Sequence, residues 1–175
     1  MSFAVFGDSY VSRLEHFTIS KGDLNLNTKC KFYGVPGMGT TYKFESTFNR
    51  LCHDRPKAVF IILGGNSITT KTTPNTIFEE LKRAVELLKM HGTERVFVCG
   101  IVTRGNFREC GMDKRTFDKM RKSINEKLKK FMKSDYVDLG RFVKYPTHYD
   151  NHKVHPSQSG LLKIRSCVEC AFRTV

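Results

Sequence analysis

The chain has 175 residues, 39% hydrophobic and 11% aromatic, which suits a folded domain with its own core and excludes a disordered tail. Its formal net charge of +13 favours contact with nucleic acid or an anionic membrane surface, although lysines that only solvate helix faces would explain it equally well. No apolar run approaches the roughly 18 residues of a membrane span, and no secretory signal pattern opens the chain. We therefore expect one intracellular domain over residues 1–175, cytoplasmic or nuclear, with its six cysteines reduced.

The first apolar run, residues 3–6, predicts a strand that breaks at Gly7-Asp8-Ser9. Apolar residues then recur at helical spacing, at Val11, Leu14 and Phe17, and the polar residues 19–27 predict a loop. A serine at this junction has its N–H group at a helix N-terminus, where it could attack a carbonyl carbon and help to stabilise the resulting oxyanion. The alternative is that Asp8 or Ser9 only caps the helix.

Strands and helices alternate along the rest of the chain. Further strands are predicted at residues 31–34, 58–63, 96–102 and 136–139. Helices are predicted from about residue 44 to before Pro56, at 74–91, at 113–134 and after Ser157. Because the run 58–63 is continuously apolar, it is typical of a parallel strand buried on both faces. The pattern predicts an α/β fold, a three-layer α/β/α sandwich around a parallel sheet of about five strands.

Polar or glycine-rich segments follow the predicted strands, so they should meet at one edge of the sheet. Gly37 lies in the glycine-rich segment 34–39, Asn66 follows Gly64-Gly65, and His155 lies in the aperiodic segment 140–156. With Ser9 as nucleophile and His155 as general base, these residues suit acyl transfer. The N–H groups of Ser9 and Gly37 and the Asn66 amide would stabilise the oxyanion, although Asn66 could equally be a turn residue.

Four short motifs in this order and spacing resemble the SGNH hydrolases, also called GDSL esterases/lipases, over nearly the whole chain: Gly7-Asp8-Ser9, Gly34-Val35-Pro36-Gly37, Gly64-Gly65-Asn66 and His155-Pro156-Ser157. The resemblance implies a flavodoxin-like sandwich that hydrolyses esters or thioesters, here of small acyl groups, with no metal or organic cofactor.

One position departs from that family, which usually has an aspartate three residues before the catalytic histidine. This chain has His152 there, and its nearest aspartate is Asp150, five residues before His155. Three groups could orient the imidazole: Asp150, a backbone carbonyl or His152. The remaining alternative is that none of these groups orients the imidazole and that the enzyme has low activity.

Residues 103–108, 117–131 and 145–155 resemble more closely the esterase domain in the first open reading frame of some animal long interspersed retrotransposons. The helix predicted at 113–134 is rich in lysine, and its candidate polyanion-binding residues are Lys119, Lys122, Lys127 and Lys130. A second function therefore stays open: a basic module that binds nucleic acid or anionic lipid on a hydrolase fold with weak or lost catalysis. Cys167 and Cys170 form a lone CxxC motif, which we interpret as two thiols on one helix face.

Overall fold

The computed structural model describes residues 2–175, and five parallel strands form its single sheet. The strands are β1 (Phe3–Gly7), β2 (Cys30–Gly34), β3 (Ala58–Ile62), β4 (Arg95–Cys99) and β5 (Tyr136–Val137). Their order across the sheet is β2-β1-β3-β4-β5. The helices are α1 (Ser9–Lys21), α2 (Glu45–Asp54), α3 (Pro74–Met90), α4 (Lys114–Met132) and α5 (Gln158–Phe172). Three short 3₁₀ turns lie at Gly65–Ser67, Lys133–Asp135 and Leu139–Arg141.

Helices cover both faces of the sheet. Val5 and Phe60 pack in a core with side chains of α1 and α5, whereas the adjacent Phe6 and Ile61 pack in a second core with α2, α3 and α4. Successive strand side chains point to opposite faces, so burial of both faces explains the unbroken apolar runs. The predicted α/β/α sandwich with five parallel strands is confirmed. Within residues 2–175, none of the helices has the length and apolar character needed to cross a membrane.

Three predicted boundaries were wrong. Helix α1 continues through residues 19–21, where a loop was expected, and ends where the N–H of Gly22 donates to the Thr18 carbonyl. Strand β4 ends at Cys99 instead of residue 102, because the Asn125 side chain of α4 binds both the N–H and the carbonyl of Ile101. Strand β5 has only two residues, since a 3₁₀ turn precedes it and another begins at Leu139.

Candidate active site

Ser9 is the first residue of α1, directly beyond the end of β1. The turn needs Gly7, because a Cβ there would lie 1.9 Å from the Ile62 carbonyl oxygen of β3. Buried Asp8 caps the helix, its Oδ1 accepting the Tyr10 N–H at 3.0 Å. The N–H of Ser9 itself donates to no acceptor within residues 2–175, so it is free to bind an oxyanion. Asp8 is therefore the cap, and the Ser9 hydroxyl is not needed for that purpose.

Gly37 and Asn66 lie on two loops that are joined to each other. Gly37 follows β2 with a φ of 78°, a left-handed conformation that favours glycine. Asn66 lies in the 3₁₀ turn after β3, and its Nδ2 donates to the Met38 carbonyl at 3.1 Å. The amide carries two N–H groups, so one remains for a ligand. The Thr40 N–H also donates to Ser67 Oγ at 2.8 Å, which strengthens the connection between the loops.

The predicted residues Ser9, Gly37, Asn66 and His155 all line one cleft of about 590 Å³. Each comes from a different loop, and a volume of this size suits a small organic ligand. His152 also lines the cleft, whereas Asp150 does not. The other lining residues are Arg13, Pro36, Arg104, Asn106, Arg108, Glu109 and Val154.

The loop that carries His155 is held by backbone bonds and by two tyrosine hydroxyls, those of Tyr10 and of Tyr149, which donates to the Thr103 carbonyl at 2.5 Å. Tyr149 and Pro156 form an antiparallel bridge, and the Asp150 N–H donates to the His155 carbonyl at 2.9 Å. The Tyr10 hydroxyl of α1 donates to the Val154 carbonyl at 2.7 Å. Because Val154 directly precedes His155, this hydrogen bond holds His155 close to α1, the helix that begins with Ser9.

Arg13, one turn after Ser9 on α1, lies beside both Asp150 and His155. Its Nη2 is 3.2 Å from His155 Nδ1 and its Nη1 is 3.8 Å from Asp150 Oδ2. The Asp150 oxygen is 3.9 Å from His155 Nδ1, too far for a hydrogen bond. Since a guanidinium can only donate, Nδ1 must accept, and the neutral ring carries its proton on Nε2. The backbone N–H of His152 donates to Asp150 Oδ1 at 3.0 Å and so helps to hold that carboxylate.

The electrostatic environment keeps His155 neutral. Burial lowers the pKa of His155 and the Arg13 charge lowers it further, while Asp150 acts in the opposite direction. Asp8 is fully buried, and loss of hydration raises its pKa to about 6 despite the Tyr10 hydrogen bond and the Arg104 charge. A neutral imidazole is the form that a general base requires.

Three arginines of the cleft were not predicted as site residues: Arg13, Arg104 and Arg108. Nothing in their local pattern separates them from the chain's many other basic residues. Arg13 follows Ser9 by four residues, so helical spacing alone would have placed it on the Ser9 side of α1. That spacing was the one available signal.

The lysines proposed for polyanion binding lie on α4, outside this cleft. Lys119, Lys122 and Lys130 are exposed, whereas Lys127 is half-buried with its ammonium 6.0 Å from the Phe78 ring centre.

Cys167 is buried and Cys170 exposed on α5, both as free thiols. Residues 2–175 contain no group of three side chains placed to hold a metal ion.

Comparison with solved structures shows the same fold at low sequence identity. A putative acylhydrolase from Bacteroides fragilis superposes with a TM-score of 0.80 at 20% identity, covering 99% of this chain and 86% of that chain. A GDSL-like lipase from Bacteroides thetaiotaomicron gives 0.78 at 17% identity, covering 99% and 88%. The lipase/acylhydrolase from Enterococcus faecalis gives 0.75 at 17% identity, covering 99% and 95%.

Sequence comparison is more decisive for the family. No curated protein matches the sequence significantly. The family model of the GDSL-like lipases/acylhydrolases, however, matches residues 5–161, which include all four predicted cleft residues. The chain belongs to the GDSL-like lipase/acylhydrolase family.

Proposed function

We propose that this protein is a serine esterase that hydrolyses small acyl esters, with Ser9 as nucleophile and His155 as general base. The observation that carries the proposal is the convergence of Ser9, Gly37, Asn66 and His155 on one cleft from four separate loops. Membership of an acylhydrolase family supports hydrolysis of esters as the reaction class. An acetyl xylan esterase is among the proteins that share the fold, with a TM-score of 0.71 at 14% identity.

The proposed reaction has two stages. Ser9 Oγ attacks the acyl carbon while its proton passes to His155 Nε2, and the carbonyl oxygen becomes an oxyanion. The N–H groups of Ser9 and Gly37 and the Asn66 amide donate to that oxyanion. Its collapse breaks the ester bond, and His155 gives the proton to the departing alcohol. Water then attacks the acyl-serine by the same route and releases the carboxylic acid.

This reaction needs the other tautomer of His155. To accept a proton at Nε2, the ring must carry its own proton on Nδ1, which Arg13 opposes by donating to that atom. Asp150 is the nearest group that can accept an Nδ1–H, at 3.9 Å. We therefore assign Asp150 the role of orienting His155 once the Arg13 guanidinium has moved off Nδ1. Asp150 is a positioning residue in this mechanism, and His152 positions it in turn.

The test is hydrolysis of p-nitrophenyl acetate and butyrate by the wild type, Ser9→Ala and a control, Ser20→Ala. Ser20 is exposed near the end of α1 and its hydroxyl donates only to the Phe17 carbonyl. We expect Ser9→Ala to lose about a thousandfold or more in kcat and Ser20→Ala to match the wild type. The wild-type rate should rise with pH to a plateau that begins below the pH expected for a free imidazole, because the pKa of His155 is lowered. Equal rates in all three proteins would refute the proposal.

A second candidate function is binding of nucleic acid through α4. Lys119, Lys122 and Lys130 are exposed and, within residues 2–175, lie more than 4.0 Å from every carboxylate oxygen. Binding through phosphates should weaken steeply as salt is raised, and combined replacement of these lysines by glutamine should reduce the steepness. The matched control replaces three exposed lysines elsewhere, Lys21, Lys71 and Lys89. An affinity that does not change with salt would exclude this function.

A narrower proposal concerns the kind of esterase. It is supported by the resemblance of residues 103–108, 117–131 and 145–155 to a retrotransposon esterase domain. We assign the chain to the esterase domains encoded by first open reading frames of animal long interspersed retrotransposons. The genomic sequence around the coding region tests this assignment. A reverse transcriptase reading frame downstream would support it, and an isolated host gene with introns would contradict it.

A further inference from the structure

The cleft beside Ser9 carries an excess of positive charge. Three arginines line it, Arg13, Arg104 and Arg108, against one carboxylate, Glu109. Asp150 does not line the cleft, and its carboxylate lies 3.8 Å from Arg13 and 3.9 Å from His155. Asp8 is buried beneath Ser9. The lining histidines, His152 and His155, add no negative charge in either protonation state.

Arg104 is held in place without using its hydrogen-bond donors. Its guanidinium lies over the Phe117 ring, 4.5 Å from the ring centre. Its Nη2 is 2.9 Å from the position that a Cβ on Gly65 would take, which places the group beside the turn that carries Asn66. Within residues 2–175 it donates no hydrogen bond and lies more than 4.0 Å from every carboxylate oxygen, so all five N–H groups are available.

Arg108 extends this cationic surface. It is exposed, and its guanidinium also donates to no acceptor within residues 2–175. The loop that carries both arginines is fixed to the histidine loop, since the Gly105 N–H donates to the Lys153 carbonyl at 2.7 Å. Two arginines with free donors therefore face the same cleft as the nucleophile, on a loop tied to the proposed base.

From this arrangement we propose that the cleft selects esters that carry a carboxylate or phosphate near the scissile bond, with Arg104 and Arg108 binding that anion. The inference rests on the proposed esterase function and adds the substrate class. A guanidinium binds carboxylate and phosphate oxygens through paired hydrogen bonds, and these are stronger than bonds between neutral groups. A neutral ester of similar shape would leave both groups without an acceptor.

The test compares acetate esters that differ in charge and little in shape. The carboxylate arm uses 4-carboxyphenyl acetate against its neutral methyl ester, and the phosphate arm uses 4-acetoxyphenyl phosphate against its neutral dimethyl ester. The variants are Arg104→Met, Arg108→Met and a control, Arg83→Met, an exposed arginine on α3. Because Arg108 is exposed, its replacement does not disturb packing. The readout is the ratio of kcat/KM for the charged ester to kcat/KM for the neutral ester.

We expect this ratio to exceed one for the wild type in at least one arm, which also identifies the anion. It should fall about tenfold in each of the two cleft variants, the effect of losing one charge-assisted hydrogen bond, and stay constant in Arg83→Met. A wild-type ratio at or below one in both arms, or a ratio that the cleft variants leave unchanged, would overturn the inference while leaving the esterase function intact.

A binding measurement separates the inference from the esterase function. In Ser9→Ala, 4-hydroxybenzoate or phenyl phosphate should bind at least about tenfold more tightly than methyl 4-hydroxybenzoate, with the preference lost in Ser9→Ala/Arg104→Met. This result would support the anion site even if the wild type hydrolysed no ester. Equal affinities for charged and neutral ligands would overturn it.

Discussion

Replacing Arg13 with methionine is expected to speed the hydrolysis of neutral esters. Arg13 donates to His155 Nδ1 at 3.2 Å and so stabilises the tautomer that cannot take the Ser9 proton. Methionine keeps most of the apolar length of the side chain and removes the donor. The neutral imidazole is then free to place its proton on Nδ1, towards Asp150.

The size of the effect follows from the strength of one hydrogen bond. Hydrogen bonds of charged groups contribute up to about 3 kcal/mol, but the Arg13 side chain is 42% exposed, so we take about 1 kcal/mol. With the two tautomers otherwise equal, that energy leaves the productive one in about one molecule of six, and its removal raises this share to about one half and kcat by about threefold. Removal of the positive charge should also raise the pKa of His155, so the rising limb of the pH profile should move to higher pH.

The assay is kcat for p-nitrophenyl acetate across the pH range in which histidine titrates, for the wild type, Arg13→Met and the control Arg83→Met. Asp150→Asn is then introduced into the wild type and into Arg13→Met. It should lower kcat about tenfold in both backgrounds, because the productive tautomer donates its Nδ1–H to Asp150 whether or not Arg13 is present, and an unchanged kcat would rule out that role for Asp150. A lower plateau kcat in Arg13→Met, with the pH profile unmoved, would refute this account and assign Arg13 a productive role.

Two further predictions concern the oxyanion and the buried acid. Asn66→Ala should lower kcat about a hundredfold with little change in KM, because the amide donates mainly to the transition state, and a change confined to KM would contradict that role. Asp8→Asn should raise the free energy of unfolding above about pH 6, because burial raises the Asp8 pKa from 3.8 to about 6 and the ionised form is costly in the folded state. The difference of about two pH units corresponds to at most about 3 kcal/mol and should vanish below about pH 4, where Asp8 is protonated in both states. Urea unfolding at several pH values measures it, and a gain that is constant with pH would contradict the titration of Asp8.

The sequence predicted the elements well wherever one local pattern decided them. The continuous run Ala58–Ile62 could only be a buried strand, and Asp113 and Ser157 begin helices because their side chains accept N–H groups of the first turn. Boundaries were wrong where a distant residue decided them. Ile101 leaves the sheet because Asn125, 24 positions later, binds its backbone, and no pattern near Ile101 encodes that contact.

The same distinction applies to the site. Ser9, Gly37 and Asn66 follow three adjacent strands, so the rule that parallel strands end at one edge was enough to bring them together. The contact between Arg13 and His155 joins residues 142 positions apart, and it depends on how the histidine loop folds. Asp150 could be predicted from its nearness to His155 along the chain, whereas no local pattern places the Arg13 guanidinium against both.

His155 should be displaced more easily than the other residues of the site, because it comes from a different part of the fold. Ser9 and Asn66 follow the inner strands β1 and β3, so displacing them requires the centre of the sheet to open. His155 instead comes from beyond the edge strand β5, and a few bonds, including that from Tyr10 to Val154, hold its loop. Such a loop opens at a lower free energy than the whole domain. We therefore expect heat or mutation to displace His155, the proposed base, while the sheet stays folded, so that the proposed catalysis is lost and the scaffold persists.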